Sequence, residues 1–131
     1  HAFAFQMTGC IHVVIIGNNF DIPVSFADAN GYLSNACIIL QSQMAPLHDI
    51  YIWGNRFEGG SYTVYIKDKD HPNYPNIPPP HRIRMNANTF GSDYRYGVFN
   101  WDSSPTIQVN YNVWEDGSPM EINTWDNWPQ W

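Results

Sequence analysis

The sequence predicts an all-β domain, an antiparallel β-sandwich of about seven to nine strands pinned by one disulfide. Three observations carry that expectation: period-2 alternation of apolar residues, turn-forming residues at short intervals, and a pair of cysteines. In residues 61–67, Tyr62, Val64 and Ile66 fall on one side of an extended chain, while Thr63, Tyr65 and Lys67 fall on the other. In residues 106–114, Ile107, Val109, Tyr111 and Val113 share a face opposite Thr106, Gln108, Asn110 and Asn112. Shorter strand-forming runs occupy 11–16, 22–26, 37–40, 49–53, 82–85, 94–99 and 120–124. Turn signals separate them, among them Gly17-Asn18-Asn19, Asn30-Gly31 and Glu58-Gly59-Gly60. Asp116-Gly117 between two alternating runs is the sharpest hairpin signal. With no sustained 3.6-residue period, antiparallel layers are favoured over an α/β sheet.

The third element is Cys10 with Cys37. A bridge between them closes a loop worth about 3–4 kcal/mol by the chain-entropy estimate. The chain starts at His1 rather than at a methionine, which together with paired cysteines predicts a processed, secreted, extracellular protein. At 131 residues, one domain spanning 1–131 is expected.

Composition narrows the partners. Net charge is −6 with only six Lys and Arg, too few for a phosphate-binding groove, so nucleic acid is not an expected partner. No apolar run approaches the roughly 20 residues of a transmembrane segment. Aromatic residues (16%) outnumber charged ones (14%), which points to ring-mediated binding.

The candidate contacts lie where the rings concentrate. Trp125, Trp128 and Trp131 recur every third residue, with Asp126 and Asn127 between them as polar partners. Indole faces at this spacing suit stacking on sugar rings, so glycan or cell-wall polysaccharide is the expected partner. Between His71 and His81 lie five prolines, a stiff polyproline-like segment that displays Tyr74. Paired carboxylates, nucleophile elbows and phosphate loops have no specific signature here. Carbohydrate binding without catalysis, in a defence, toxin or host-interaction role, is therefore the expected function.

Two resemblances add to this reading. Asn35-Ala36-Cys37, the Trp-bearing run at 50–53, the Gly59-Gly60-Ser61-Tyr62 turn and the late strand at Tyr111 together look like small thaumatin-like and related secreted fungal sandwich proteins. That resemblance implies an acidic cleft and affinity for wall glucans. An N-terminal histidine resembles the start of lytic polysaccharide monooxygenases, which implies copper held by the His1 amine and imidazole and a second histidine. His48 is the leading second ligand, with His71 and His81 as others. A copper-binding, possibly oxidative, protein is thus the alternative to simple binding.

Overall fold

A computed structural model describes residues 2–24, 34–67, 76–101 and 107–121. The described residues form twelve strands and no helix. The first winding comprises β1 (Ala2–Met7), β2 (Cys10–Ile16) and β3 (Asn19–Ile22), and the second β4 (Ser34–Gln41), β5 (Leu47–Trp53) and β6 (Arg56–Gly59). Then come β7 (Tyr62–Lys67), β8 (His81–Asn86) and β9 (Thr89–Phe90), followed by β10 (Gly97–Trp101), β11 (Ile107–Asn110) and β12 (Val113–Trp114). Every third strand returns to the same sheet. Sheet A is β1-β4-β7-β10, sheet B is β2-β5-β8-β11 and sheet C is β3-β6-β9-β12. All strand pairs are parallel. A chain that visits three sheets in rotation and climbs one rung per turn is a parallel β-helix.

This overturns the antiparallel sandwich. Alternation shows only that one face of a strand is buried and the other wet. In a β-helix each sheet turns one face to a shared core, so it gives the same pattern that normally signals antiparallel pairing. The 62/64/66 alternation holds, with Val64 and Ile66 fully buried. The run 106–114 does not stay one strand: Tyr111 adopts φ 55° and turns the chain from sheet B to sheet C. Asn112 consequently lies buried rather than on a wet polar face. The strand expected at 22–26 ends at Ile22, the one at 94–99 starts at Gly97, and Met120 and Glu121 lie outside any strand. The Asp116-Gly117 turn does form: the Trp114 and Gly117 amides donate to the Ser118 and Trp114 carbonyls. Val113 and Pro119 make an antiparallel bridge there.

The core is a set of rows along the helix axis, each built from equivalent positions of successive windings. Ile50 pairs with Ile83 and Ile52 with Met85 in sheet B, and Leu40 with Ile66 in sheet A, all fully buried. In sheet C the rings of Phe20, Phe57 and Phe90 stack at 5.1 and 5.3 Å between centroids. Trp114 continues the row at reduced burial.

The corner between sheets B and C is the regular one. It has two residues in every winding: Gly17-Asn18, Gly54-Asn55, Ala87-Asn88 and Tyr111-Asn112. The first of each pair has φ between 55° and 71°, a left-handed kink that costs a non-glycine residue roughly 1–2 kcal/mol. The asparagine offsets that cost. Asn88 Oδ1 accepts from the Asn55 backbone amide (3.0 Å) and Asn55 Nδ2 (3.2 Å). Asn88 Nδ2 donates to the Ile52 and Asn86 carbonyls, both at 3.1 Å. The same pattern links Asn55 to Asn18 and Asn112 to Asn88.

The expected disulfide is absent, and both cysteines are free thiols. Cys10 is exposed on β2 in sheet B, whereas Cys37 is buried on β4 in sheet A, one winding further on. Cys37 Sγ donates to the Glu58 carbonyl at 2.9 Å, and burial pushes its thiol pKa up to about 11. No described helix is long and apolar enough to cross a membrane.

The asparagine ladder sets a stability expectation. Asn88→Ala strands two buried carbonyls and a buried amide, each costing about 1–3 kcal/mol. Urea unfolding should show a loss of about 3 kcal/mol or more, whereas Asn18→Ala, at the exposed end of the ladder, should cost under about 1 kcal/mol. Equal effects would contradict the ladder.

Candidate functional site

The outer face of sheet B gathers the chemistry that the core does not use. Leu47 and Ile50 both point inward and are fully buried. Between them stand His48 and Asp49, and Asp49 takes φ 56°. The same left-handed kink recurs at His12 (φ 58°) and Arg82 (φ 54°) in the neighbouring windings. Each kink inserts one extra residue between inward positions, so two consecutive side chains emerge on one rung. Strained backbone at three ionisable non-glycine residues in register is a feature that functional sites retain.

The side chains interlock. His48 Nδ1 lies 2.6 Å from Asp49 Oδ2, and Arg82 Nε lies 2.5 Å from Asp49 Oδ1. Burial alone would raise the Asp49 carboxyl, but the hydrogen bonds and charges of His48 and Arg82 outweigh it and hold the pKa below the usual range. An ionised carboxylate only accepts, so His48 Nδ1 carries the proton. His81 Nδ1 lies 2.9 Å from the Pro79 carbonyl, which likewise only accepts. The His48 and His81 rings stack at 4.6 Å and 23°, and His12 meets His48 edge-on at 6.1 Å.

Beyond this cluster the face is apolar and aromatic. Its next rows are Val14, Tyr51, Arg84 and Gln108, then Ile16, Trp53 and Asn86. Tyr51 and Trp53 stand 6.0 Å apart between ring centroids. Among the described residues seven large hydrophobic side chains are exposed, and Ile11, Val14, Ile16 and Trp53 all lie on this one face. Val14 is 63% exposed and Trp53 45%. A contiguous patch of this kind, edged by polar groups, marks an interaction surface.

A second concavity lies beside sheet C, a cleft of about 380 Å³ lined by Tyr94, Trp114, Glu115, Asp116 and two serines, Ser92 and Ser118. At its edge Arg56 binds Glu58 and Glu115 through one nitrogen, Nη2, and Glu115 also through Nε at 2.6 Å. Burial and then the Glu115 charge raise the Glu58 pKa, against the pull of Arg56. Two carboxylates that share one guanidinium nitrogen are closer than the roughly 5 Å that the tightest glycosidase pair needs.

Of the residues expected from sequence, His48 and His81 are brought together on sheet B. His1, His71, Tyr74, Trp125, Asp126, Asn127, Trp128 and Trp131 lie outside the described residues. Cys10 and Cys37 are placed apart, as above. Among the described residues no group of three His, Cys, Asp or Glu side chains is arranged to hold a metal ion. Sequence reasoning missed Trp53, Tyr51, His12 and Arg82. Their signal was the outward half of an alternation read only for its inward half. The sandwich architecture on which both resemblances rested is not present.

Comparison with family models, with curated proteins and with solved structures finds no match for this chain.

The raised Glu58 pKa has a measurable consequence. The folded state holds this proton to higher pH than the unfolded chain, whose carboxyl titrates near the ordinary 4.5. Stability from this group is therefore present below that value and declines as pH rises through the folded pKa. Glu58→Gln should flatten that decline in thermal melts taken from pH 4 to 7. An unchanged slope would contradict the assignment.

Proposed function

We propose that this protein is a secreted glycan-binding β-helix whose binding surface is the outer face of sheet B. The observation that supports this most is the gathering of Trp53, Tyr51, Ile11, Val14 and Ile16 on one flat, rigid, exposed sheet face. A sugar ring offers an apolar face of C–H groups and a rim of hydroxyls. The face matches both halves of that chemistry: indole and phenol rings for stacking, and Arg84, Asn86 and Gln108 alongside for hydrogen bonds. Strand neighbours recur about every 4.8 Å across the sheet, so the contacts are laid out in line, which suits a polymer better than a compact ligand.

Binding without hydrolysis fits this face, because it carries no separated pair of carboxylates; Asp49 is the one carboxylate in its rows and is held by His48 and Arg82. The acidic rim of the sheet C cleft is tied up by Arg56.

The test is calorimetric titration with linear β-glucan and chitin oligosaccharides. Wild-type protein should bind at least one of them, and Trp53→Ala should weaken it by about 2 kcal/mol, near 30-fold in Kd, as for a buried aromatic anchor. No binding, or a Trp53→Ala variant that binds as wild type does, would overturn the reading.

A further inference from the structure

We propose that His48 and His81 form a two-imidazole clamp for a borderline divalent metal ion, of which Zn(II) and Cu(II) are the natural members. The argument starts from the protons. Asp49 and the Pro79 carbonyl accept at Nδ1 of the two rings, at 2.6 and 2.9 Å. Each neutral imidazole therefore carries its remaining lone pair at Nε2. A ligating histidine typically donates its other nitrogen to a carboxylate or a backbone carbonyl, which fixes the tautomer and strengthens the ligand. Here one ring has the carboxylate and its neighbour has the carbonyl.

The second observation is placement. His48 and His81 are register partners on adjacent parallel strands, so their rings are stacked and displayed on the same side. A metal–nitrogen bond of about 2.0–2.1 Å spans two nitrogens up to about 4 Å apart. The rings stand 4.6 Å apart between centroids, so a small tilt suffices. Neither ring is fully buried, and His48 retains 25% exposure, so a hydrated ion can reach the pair. The left-handed kink at Asp49 sets the carboxylate beside His48, and Arg82 fixes it from the next winding. No third protein ligand is in place among the described residues; water completes the coordination, with His12 as the nearest further imidazole. This clamp is independent of the N-terminal amine and stands apart from the glycan reading.

The experiment is a titration of the full chain with Zn(II) chloride, followed by long-range proton–nitrogen spectra of the imidazoles. Before metal, His48 and His81 should both show the Nδ1–H tautomer. Zn(II) should then move Nε2 of both rings together with one-to-one stoichiometry. His48→Asn and His81→Asn should each remove that response, with folding checked by circular dichroism. Asp49→Asn should weaken it by about 10–100-fold. An Nε2–H tautomer in either ring would overturn the proposal, as would Zn(II) shifting other imidazoles while these two stay unmoved. The wild-type spectra decide the matter even if a variant fails to fold.

Discussion

Everything in this fold hangs on one repeated hydrogen-bonding problem: how to turn a sharp corner in a parallel sheet without orphaning buried backbone groups. Asparagine solves it, because its side-chain amide copies a peptide group, with one acceptor and two donors. At each sheet B to sheet C corner, the preceding residue kinks left-handed and the asparagine bonds to the windings on either side. Asn55, Asn88 and Asn112 are essentially inaccessible to solvent. Within each row, only the asparagine at the exposed end, Asn18, has a wet side. Such ladders are high-stakes: fully satisfied they define one geometry, and partly satisfied they are worse than an apolar core.

The ladder also fixes phase. The other corners vary in length, with different numbers of residues between sheets C and A and between sheets A and B in each winding. Since the Asn corner always takes two residues, the strands on either side must align. Phe20, Phe57 and Phe90 stack on the sheet C side, and His48 stacks on His81 on the sheet B side. The outer face of sheet B is therefore a consequence of the corner. Its rows are straight because the ladder is straight, and the kinks at His12, Asp49 and Arg82 fall on one rung for the same reason.

The strand content was legible in the sequence, since alternation at 62–67 and the apolar runs at 11–16, 37–40, 49–53 and 82–85 all locate real strands. The direction of pairing was not, because period 2 reports burial and says nothing about strand polarity. A better signal was present in the repeated corner: Gly17-Asn18-Asn19-Phe20, Gly54-Asn55-Arg56-Phe57, Ala87-Asn88-Thr89-Phe90 and Tyr111-Asn112-Val113-Trp114. Self-similarity of that kind marks a solenoid. Its spacing is irregular, at 37, 33 and 24 residues, which hides it from a search for a fixed period. The strands at Arg56–Gly59 and Thr89–Phe90 were too short to show alternation at all. The candidate site was legible only through His48 and His81. Histidines 33 residues apart give no sign of stacking until the winding length is known. The pairing of Cys10 with Cys37 failed because cysteine count and a presumed compartment say nothing about which sheet each thiol occupies.

The most direct measurement of this account is hydrogen exchange at side-chain amides, read by NMR. Exposed asparagine amides exchange rapidly, whereas amides locked between windings exchange only when the β-helix opens. The Nδ2 protons of Asn55, Asn88 and Asn112 should be strongly protected, in step with the backbone amides of the strands they join, while those of Asn18 exchange faster. Rapid exchange at all four would contradict the ladder and, with it, the alignment that builds the outer face of sheet B.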